Sequence, residues 1–311
     1  MGKWAAFWLV GIIWGSSFLL IRVGVEAFHP LQLVFIRVGI AAVGLSLVAI
    51  IQRKAFPKDW KTIRALIIIG IGNTVVPFLL ITIGEQTVES GIASVLQATA
   101  ALFTLVIAHF AFQDERMTPQ RIGGIVTGFI GVIILATRGS GEAQAAGGSY
   151  VWGQIAIVAA SLFYAMFSVY SRKVLKTKVE PVVVAAIAML TSAITTGVMV
   201  FAMQFFGGPP PALPATLNSD TLIAVLVLGL VNTFIAYLFF YYIIRELGSA
   251  RASMVTYVVS PVGLTLGVIF LDEALDAKLV IGAALIFAGI GIVNLRSFRR
   301  PKPTFTVPQQ V

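Results

Sequence analysis

Ten apolar runs, each close to 20 residues long, cover most of this 311-residue chain. They lie near residues 4–25, 31–51, 63–84, 91–112, 119–137, 151–171, 181–206, 221–243, 252–271 and 278–296. A helix of about 20 apolar residues crosses the hydrocarbon core of a bilayer and satisfies its own backbone polar groups there. A transmembrane barrel would show alternating segments of about ten residues instead. The runs therefore predict an all-α membrane protein with ten transmembrane helices.

The composition excludes several other classes of protein. Only 11% of the residues are charged and 58% are hydrophobic, whereas a soluble domain is about 25% charged. A soluble globule, a disordered chain and a nucleic-acid-binding module are all inconsistent with this balance. The chain has no Cys and two His, which excludes disulfides and thiolate chemistry and argues against a protein-held catalytic metal. We expect neither a cofactor nor a metal.

The basic residues predict the orientation of the chain in the membrane. Of the 22 Lys and Arg residues, 18 fall in alternate loops or at the chain ends, and the exceptions are Arg22, Arg37, Arg138 and Lys278. Because basic loops face the cytoplasm, both termini are expected there. Acidic residues gather on the other side, at Glu26, Glu85, Glu89, Glu142, Asp272 and Glu273. This predicts a multi-pass membrane protein, whose partners are the lipid bilayer and a small molecule.

The two halves of the chain resemble each other in sequence. Asn73-Thr74 aligns with Asn232-Thr233 at an offset of 159, and the stretch that begins at Trp14 aligns with the one that begins at Tyr164 at an offset of 150. Each half holds five runs, and because five is odd the second half must enter the membrane inverted. The Asp114-Glu115 and Asp272-Glu273 pairs, which also align, would then lie on opposite faces.

The predicted organisation is therefore two inverted five-helix repeats around a central cavity. Residues 1–137 form the first repeat, 138–150 an extracytoplasmic linker, 151–296 the second repeat and 297–311 a cytoplasmic basic tail. Inverted repeats are a recurrent plan of secondary transporters, which bind substrate near the membrane midplane where the repeats meet. The sequence is compatible with a monomer.

The ordered motifs resemble the ten-helix EamA-type branch of the drug/metabolite transporter superfamily. They are Trp14-Gly15-Ser16-Ser17-Phe18, His29-Pro30 with Arg37, the two Asp-Glu pairs, and the glycines of the fifth and tenth runs. The resemblance extends from residue 4 to about 296. It implies movement of amino acids or other metabolites, often export, across a bacterial inner membrane.

We therefore expect a secondary transporter of amino acids or related zwitterions that works by alternating access. Export of drugs or other toxic organic compounds is the alternative. A membrane-embedded enzyme is a weaker hypothesis, because the chain has no Cys nucleophile, no HExxH or GxSxG motif and no pair of carboxylates at mid-membrane depth.

Polar and aromatic residues at mid-depth are the candidates for the substrate site, because such side chains are costly in lipid unless they meet protein or water. The substrate-binding candidates are Trp14, Ser17, Asn73, Gln97, Tyr164, Asn232, Tyr237, Tyr257 and Ser260. Their amides and hydroxyls would orient the polar groups of a substrate and their rings would stack on its apolar part. The competing interpretation is that these side chains join helices to one another.

Three further residues are candidates for gating or for structure. Pro77 and Pro261 are expected to bend their helices. Arg37, about a third of the way into the second run, would either bind a substrate carboxylate in a forked geometry or hold neighbouring polar groups. Arg22 is expected to snorkel to the interface. The nearest acid to a span centre is Glu85, at the outer end of the third run, so proton antiport through a central carboxylate is not expected.

Overall fold

The computed structural model describes residues 2–113, 116–138, 149–175, 179–209, 218–247 and 252–294. These residues form helices joined by turns and loops, and none of them forms a strand. The first half contains α1 (Lys3–Gly24), α2 (Pro30–Ile51), α3 (Trp60–Gly70), α4 (Val76–Gly84), α5 (Ser90–Gln97), α6 (Thr99–Ala111) and α7 (Pro119–Ala136). The second half contains α8 (Ser149–Leu175), α9 (Pro181–Phe205), α10 (Ser219–Gly229), α11 (Ala236–Leu247), α12 (Thr256–Phe270) and α13 (Ala277–Asn294).

Eight segments of the described chain are long and apolar enough to cross a membrane. Three of them are interrupted rods, in which α3 continues into α4, α5 into α6, and α10 into α11. Two shorter apolar helices, Thr256–Phe270 and Ala277–Val293, coincide with the last two predicted runs. The prediction of an all-helical membrane protein is confirmed. Asp114-Glu115, the linker core and the basic tail lie outside the described residues.

Local sequence sets the helix boundaries. Pro30, Pro119 and Pro181 each occupy the first turn of a helix, where the missing N–H has no intrahelical partner to lose. Asp59 and Asn218 cap α3 and α10 by accepting backbone N–H groups at 2.8 and 2.7 Å, which satisfies donors that would otherwise be orphaned.

The outer surface of the bundle is apolar and bordered by tryptophans. Trp60 begins α3, and Trp152 lies in the first turn of α8, and both are largely exposed. Between the ends, large apolar side chains such as Val43, Ile133 and Phe201 are more than 60% exposed. Aromatic rings at the ends and aliphatic side chains between them are typical of a surface that meets lipid.

Acidic residues gather at one end of the bundle, which we call the acidic end. It comprises the loop between α1 and α2, the turn between α4 and α5, and the segment 271–276 between α12 and α13. The opposite end, which we call the basic end, carries the loop between α2 and α3 with Arg53, Lys54, Lys58 and Lys61. The clustering of acids opposite the basic loops, inferred from the sequence, is present in the fold.

The most extensive helix contacts join the first half to the second. They pair α7 with α13, α2 with α9, α1 with α12 and α4 with α8. The α7–α13 contact depends on glycine: a Cβ at Gly124 would lie 2.6 Å from the carbonyl oxygen of Gly289, and one at Gly131 would lie 2.5 Å from that of Gly282. The two backbones therefore touch directly, as the small-residue spacing of these runs predicts.

A glycine pair on α13 tests this close contact. Gly289→Ala drives a methyl group into the backbone of Gly124 and Gly128, whereas Gly291→Ala places one in open space. Both changes carry the same gain in helix propensity, so their difference isolates the clash. We expect Gly289→Ala to be less stable than Gly291→Ala by about 1–3 kcal/mol, the usual cost of overpacking. Equal melting temperatures of the two variants in detergent would contradict close α7–α13 packing.

Candidate functional site

Two π-helical segments interrupt the bundle at equivalent places in its two halves. Ile71–Val75 separates α3 from α4, and Leu230–Ile235 separates α10 from α11. These segments contain Asn73-Thr74 and Asn232-Thr233, the pairs that align at an offset of 159. π-bulges occur frequently at functional sites, because the wide turn frees backbone groups from the regular ladder. The repeated polar pairs thus mark irregular backbone in both halves.

Proline is not the common cause of the two π segments. Pro77 is buried and occupies the second position of α4, directly after the first segment. Its counterpart in the second half is Ala236, yet that half also has a π segment. In the second segment the hydroxyl of Thr233 donates to the carbonyl oxygen of Leu228 at 2.8 Å. A side-chain hydroxyl therefore provides a hydrogen-bond donor for a backbone carbonyl beside the wider turn.

Asn232 ties its π segment to α1. Its Nδ2 lies 2.9 Å from the Oγ of Ser16 and 3.1 Å from the Oγ of Ser17, and it also donates to the carbonyl oxygen of Ile13. In return, the indole Nε1 of Trp14 donates to the backbone oxygen of Asn232 at 3.1 Å. Asn232 and Ser17 are buried. The Nδ2 of Asn232, the indole N–H of Trp14 and the hydroxyl of Ser17 therefore join helices, whereas the Oδ1 of Asn232 is buried without a hydrogen-bond partner.

Asn73, the counterpart of Asn232, is used differently. It is partly buried, and its side chain has no recorded hydrogen bond within the described part of the chain. The residue before it, Gly72, leaves room for the ring of Phe167 on α8. The same residue type thus holds helices together in one half and remains available in the other.

Aromatic rings surround the indole of Trp14. Its ring centroid lies 4.9 Å from that of Phe240 and 5.8 Å from that of Tyr237, and Tyr237 in turn lies 6.0 Å from Tyr241. Trp14, Tyr237, Phe240 and Tyr241 are all partly buried. Such rings offer apolar faces that also attract cations.

Arg37 lies on α2 beside this cluster and is 6% exposed. Its Nε donates to the hydroxyl of Thr233 at 2.9 Å, and its guanidinium carbon lies 4.0 Å from the ring centre of Phe78. Tyr164 and Tyr237 lie within electrostatic range of the guanidinium. No carboxylate of the described residues forms an ion pair with Arg37. A buried cation therefore faces two phenol groups without an acidic partner.

The remaining predicted residues lie at helix breaks or in helix contacts. Ser260 is buried, and its hydroxyl donates to the carbonyl oxygen of Ser94 at 2.7 Å, so it joins α12 to α5. Gln97 ends α5 and is partly buried. Tyr257 is partly buried in the first turn of α12 and packs against the core. Pro261 lies inside α12 but is exposed, so it faces away from the interior.

The structure thus brings part of the predicted set together. Trp14, Ser17, Asn232 and Tyr237 are linked by hydrogen bonds or ring contacts, and Arg37 joins them through Thr233. Sequence reasoning did not select Phe78 or Tyr241, although both are aromatic residues within the apolar runs. We call Trp14, Arg37, Phe78, Tyr164, Asn232, Thr233, Tyr237, Phe240 and Tyr241 the central cluster.

Ion pairs and helix caps close the acidic end of the bundle. Arg138 donates to the carboxylate of Asp276 at 2.8 Å and to the backbone oxygen of Ala274 at 2.7 Å, and it lies 3.4 Å from Glu89. Tyr150 donates to the same Glu89 at 2.9 Å. The Leu279 N–H, helped by Arg138, lowers the pKa of Asp276 below its ordinary value. The sequence assigned Arg138 only to a linker, because its partners are remote in the chain.

The two halves also meet at the acidic end through Glu273. Its carboxylate accepts the backbone N–H groups of Ser90 and Gly91 at 2.6 and 2.8 Å, at the start of α5. Asp272, with φ 51°, takes the left-handed conformation just before it, as short polar residues tolerate. A carboxylate from one half therefore caps a helix of the other half, where the helix dipole favours negative charge.

Arg22, which the sequence predicts to snorkel to the interface, is partly exposed and bonds to the main chain at the acidic end. Its Nη1 donates to the backbone oxygen of Glu85 at 2.6 Å and to that of Gln86 at 3.2 Å. A cleft of about 370 Å³ opens beside it, and its walls include Arg22, Glu26, Glu89, Asp272 and Glu273. A second cleft, of about 480 Å³, is apolar and lies between α2 and the second π segment. No residue of the central cluster lines either cleft.

Comparisons with known proteins specify the class to which this multi-pass helical protein belongs. The model of the EamA-like transporter family matches residues 3–137 and again residues 151–295. The chain therefore belongs to the EamA-like transporter family, as its sequence motifs suggested.

Several relatives carry transporter names, and one solved structure shares the fold. An "Uncharacterized transporter" of Archaeoglobus fulgidus is 26% identical over 94% of this chain and 99% of its own. The "Uncharacterized inner membrane transporter YedA" of Escherichia coli K12 is 28% identical over 97% and 94%. A "Probable terminal-alkyne amino-acid exporter" of Streptantibioticus cattleyicolor is 27% identical over 96% and 95%. One crystal structure shares the fold with a TM-score of 0.65 at 20% identity, over 95% of this chain and 98% of that one.

The two equivalent asparagines make a matched test of structural roles. Asn232→Ala removes the donor to Ile13, Ser16 and Ser17, and a buried group left without its partner costs about 1–3 kcal/mol. We expect Asn232→Ala to lower the melting temperature in detergent and Asn73→Ala to leave it close to that of the wild type. If the two variants lose stability equally, the difference in bonding between the two π segments is refuted.

Proposed function

We propose that this protein is a secondary transporter that moves amino acids or related small zwitterions, in the direction of export, by alternating access between two inverted five-helix repeats. It acts without enzymatic chemistry, and its ten spans include the two shorter helices α12 and α13. Family membership and the exporter among its relatives support the proposal.

The helix contacts support the inverted repeat. Contacts of the first half recur with the halves exchanged: α1 packs on α11 and α12, as α8 packs on α4, α5 and α6. Likewise α2 packs on α10, as α9 packs on α3. Pairs at equivalent places in the two halves, such as α2 with α9 and α7 with α13, pack directly on each other. A pseudo-two-fold axis would generate this pattern, and rocking of two such bundles is the usual means of alternating access.

The single observation that supports the substrate class is the environment of Arg37. It is a buried guanidinium that has a hydroxyl and an aromatic ring as neighbours but no acidic ion-pair partner. A guanidinium binds a carboxylate in a forked, two-point geometry, and an intramembrane cation is functional by default. The carboxylate of an amino acid would neutralise Arg37, while the rings around Trp14 contact an apolar or cationic group of the substrate.

Transport by purified protein in liposomes tests the role of Arg37. With labelled amino acids as substrates, we expect Arg37→Gln to reduce flux at least tenfold, because a charged hydrogen bond is worth about 1.5–3 kcal/mol. Arg245→Gln is the control, since this side chain is 74% exposed at the basic end. Amines that lack the carboxylate should fail to compete. Flux of lipophilic cations in place of amino acids would favour drug export instead.

The absence of Cys from the whole chain permits a test of orientation. The proposed topology places Lys58 in the cytoplasm and Ala274 outside, and both residues are exposed. In intact spheroplasts, a membrane-impermeant maleimide should label Ala274→Cys at once and Lys58→Cys only after the membrane is opened. Immediate labelling of both positions, or of Lys58→Cys alone, would refute the topology.

A further inference from the structure

Glu85 is a buried carboxyl group that the fold holds in place without giving it a partner. It follows α4 in the turn towards α5 and is fully buried, and neither side-chain oxygen has a hydrogen-bond partner. Its main chain is fixed at both ends, because its N–H donates to Ile81 at 2.9 Å and its carbonyl oxygen accepts from Arg22 at 2.6 Å. Burying an ionised carboxylate in this way costs several kcal/mol.

The charged groups around Glu85 come from three different elements. Arg22 on α1 and Arg37 on α2 favour its ionised form, whereas Glu273, from the segment after α12, opposes it. The carboxylate of Glu273 accepts two backbone N–H groups at the start of α5. Burial, with Glu273 as the second cause, raises the pKa of Glu85 well above its ordinary value of 4.5.

Water reaches Glu273 but not Glu85 in this conformation. Glu273 lines the cleft at the acidic end, whereas Glu85 has no exposed surface. Glu85 is next to this cleft, because Arg22, which lines it, donates to the Glu85 carbonyl oxygen. Glu273, a charged neighbour of Glu85, joins the segment after α12 to the start of α5 at the same end. Separation of these two segments would move Glu273 and widen the cleft beside Glu85.

We propose that Glu85 is a proton-binding site whose occupancy controls opening of the acidic end. In the closed state the carboxyl group is neutral and dry. When the end opens, the proton passes to water and the carboxylate becomes hydrated. Because the two conformations bind the proton with different affinity, proton binding must favour closure to the same extent that closure favours proton binding. This device rests on the alternating access proposed above and requires no particular substrate.

The first measurement uses the purified protein in detergent without substrate. A raised pKa in the folded state means that the folded protein holds a proton that the unfolded chain has released, so stability must fall as pH rises above about 4.5. Glu85→Gln removes this contribution. We expect its melting temperature to fall less between about pH 5 and pH 8 than that of the wild type. Glu26→Gln, an exposed acid at the same end, is the control and should behave like the wild type.

The second measurement follows the acidic end directly. Spin labels at Gln86→Cys and Ala274→Cys, both exposed and on opposite halves, report its opening as a longer distance. We expect the distance to lengthen as pH rises in otherwise wild-type protein, and Glu85→Gln to keep the short distance at every pH. The otherwise wild-type measurement stands alone if Glu85→Gln does not fold.

Three outcomes would overturn the proposal. They are identical pH dependence of stability in Glu85→Gln and wild type, a label distance that ignores pH, and a distance that follows Na⁺ at constant pH, which would make the ligand a metal cation. Neither measurement involves substrate. A pH-dependent gate in a protein that moves no amino acid would therefore refute the proposed substrate class and leave the proton site intact.

Discussion

The need to satisfy backbone polar groups inside the protein, away from water, governs this structure. Regular helices meet that requirement by themselves, but the two π segments do not. Around Leu230–Ile235 the carbonyl oxygens of Leu228 and Asn232 accept from the hydroxyl of Thr233 and the indole of Trp14. The side-chain amide of Asn232 donates to α1, and with Trp14 it joins α1 to the second half. The same hydroxyl of Thr233 accepts from Arg37. The hydroxyl that satisfies the irregular backbone therefore also holds Arg37 of the first half against the second half.

The two halves share a sequence pattern but divide the work between them. The second-half amide, Asn232, is committed to helix contacts, whereas Asn73 is left unengaged within the described chain. The second-half acid, Glu273, caps a helix of the first half. An exact repeat would give both halves identical contacts, so divergence of this kind lets one irregular segment join helices while the other keeps its amide unengaged.

Much of the fold follows from the sequence because each span needs about 20 apolar residues. The close contact of α7 and α13 fits the glycine content of these two runs, because small residues on one helix face let two backbones approach. Partner choice does not, because it depends on which helices meet. Ser17 and Ser260 look alike in the sequence, yet one accepts from a remote amide and the other donates to Ser94. Glu85 looks peripheral at the end of a run, but the folded chain buries it completely.

Arg37 and Glu85 together explain why the proposed substrate site and the proposed proton site belong to one device. They lie within electrostatic range of each other, and both are buried, yet they form no ion pair. Opposite charges at low dielectric attract strongly, so two ionised groups would be expected to pair. A guanidinium does not lose its proton in proteins. The lack of an ion pair agrees with the neutral Glu85 proposed above, and it leaves Arg37 without an anionic partner among the described residues.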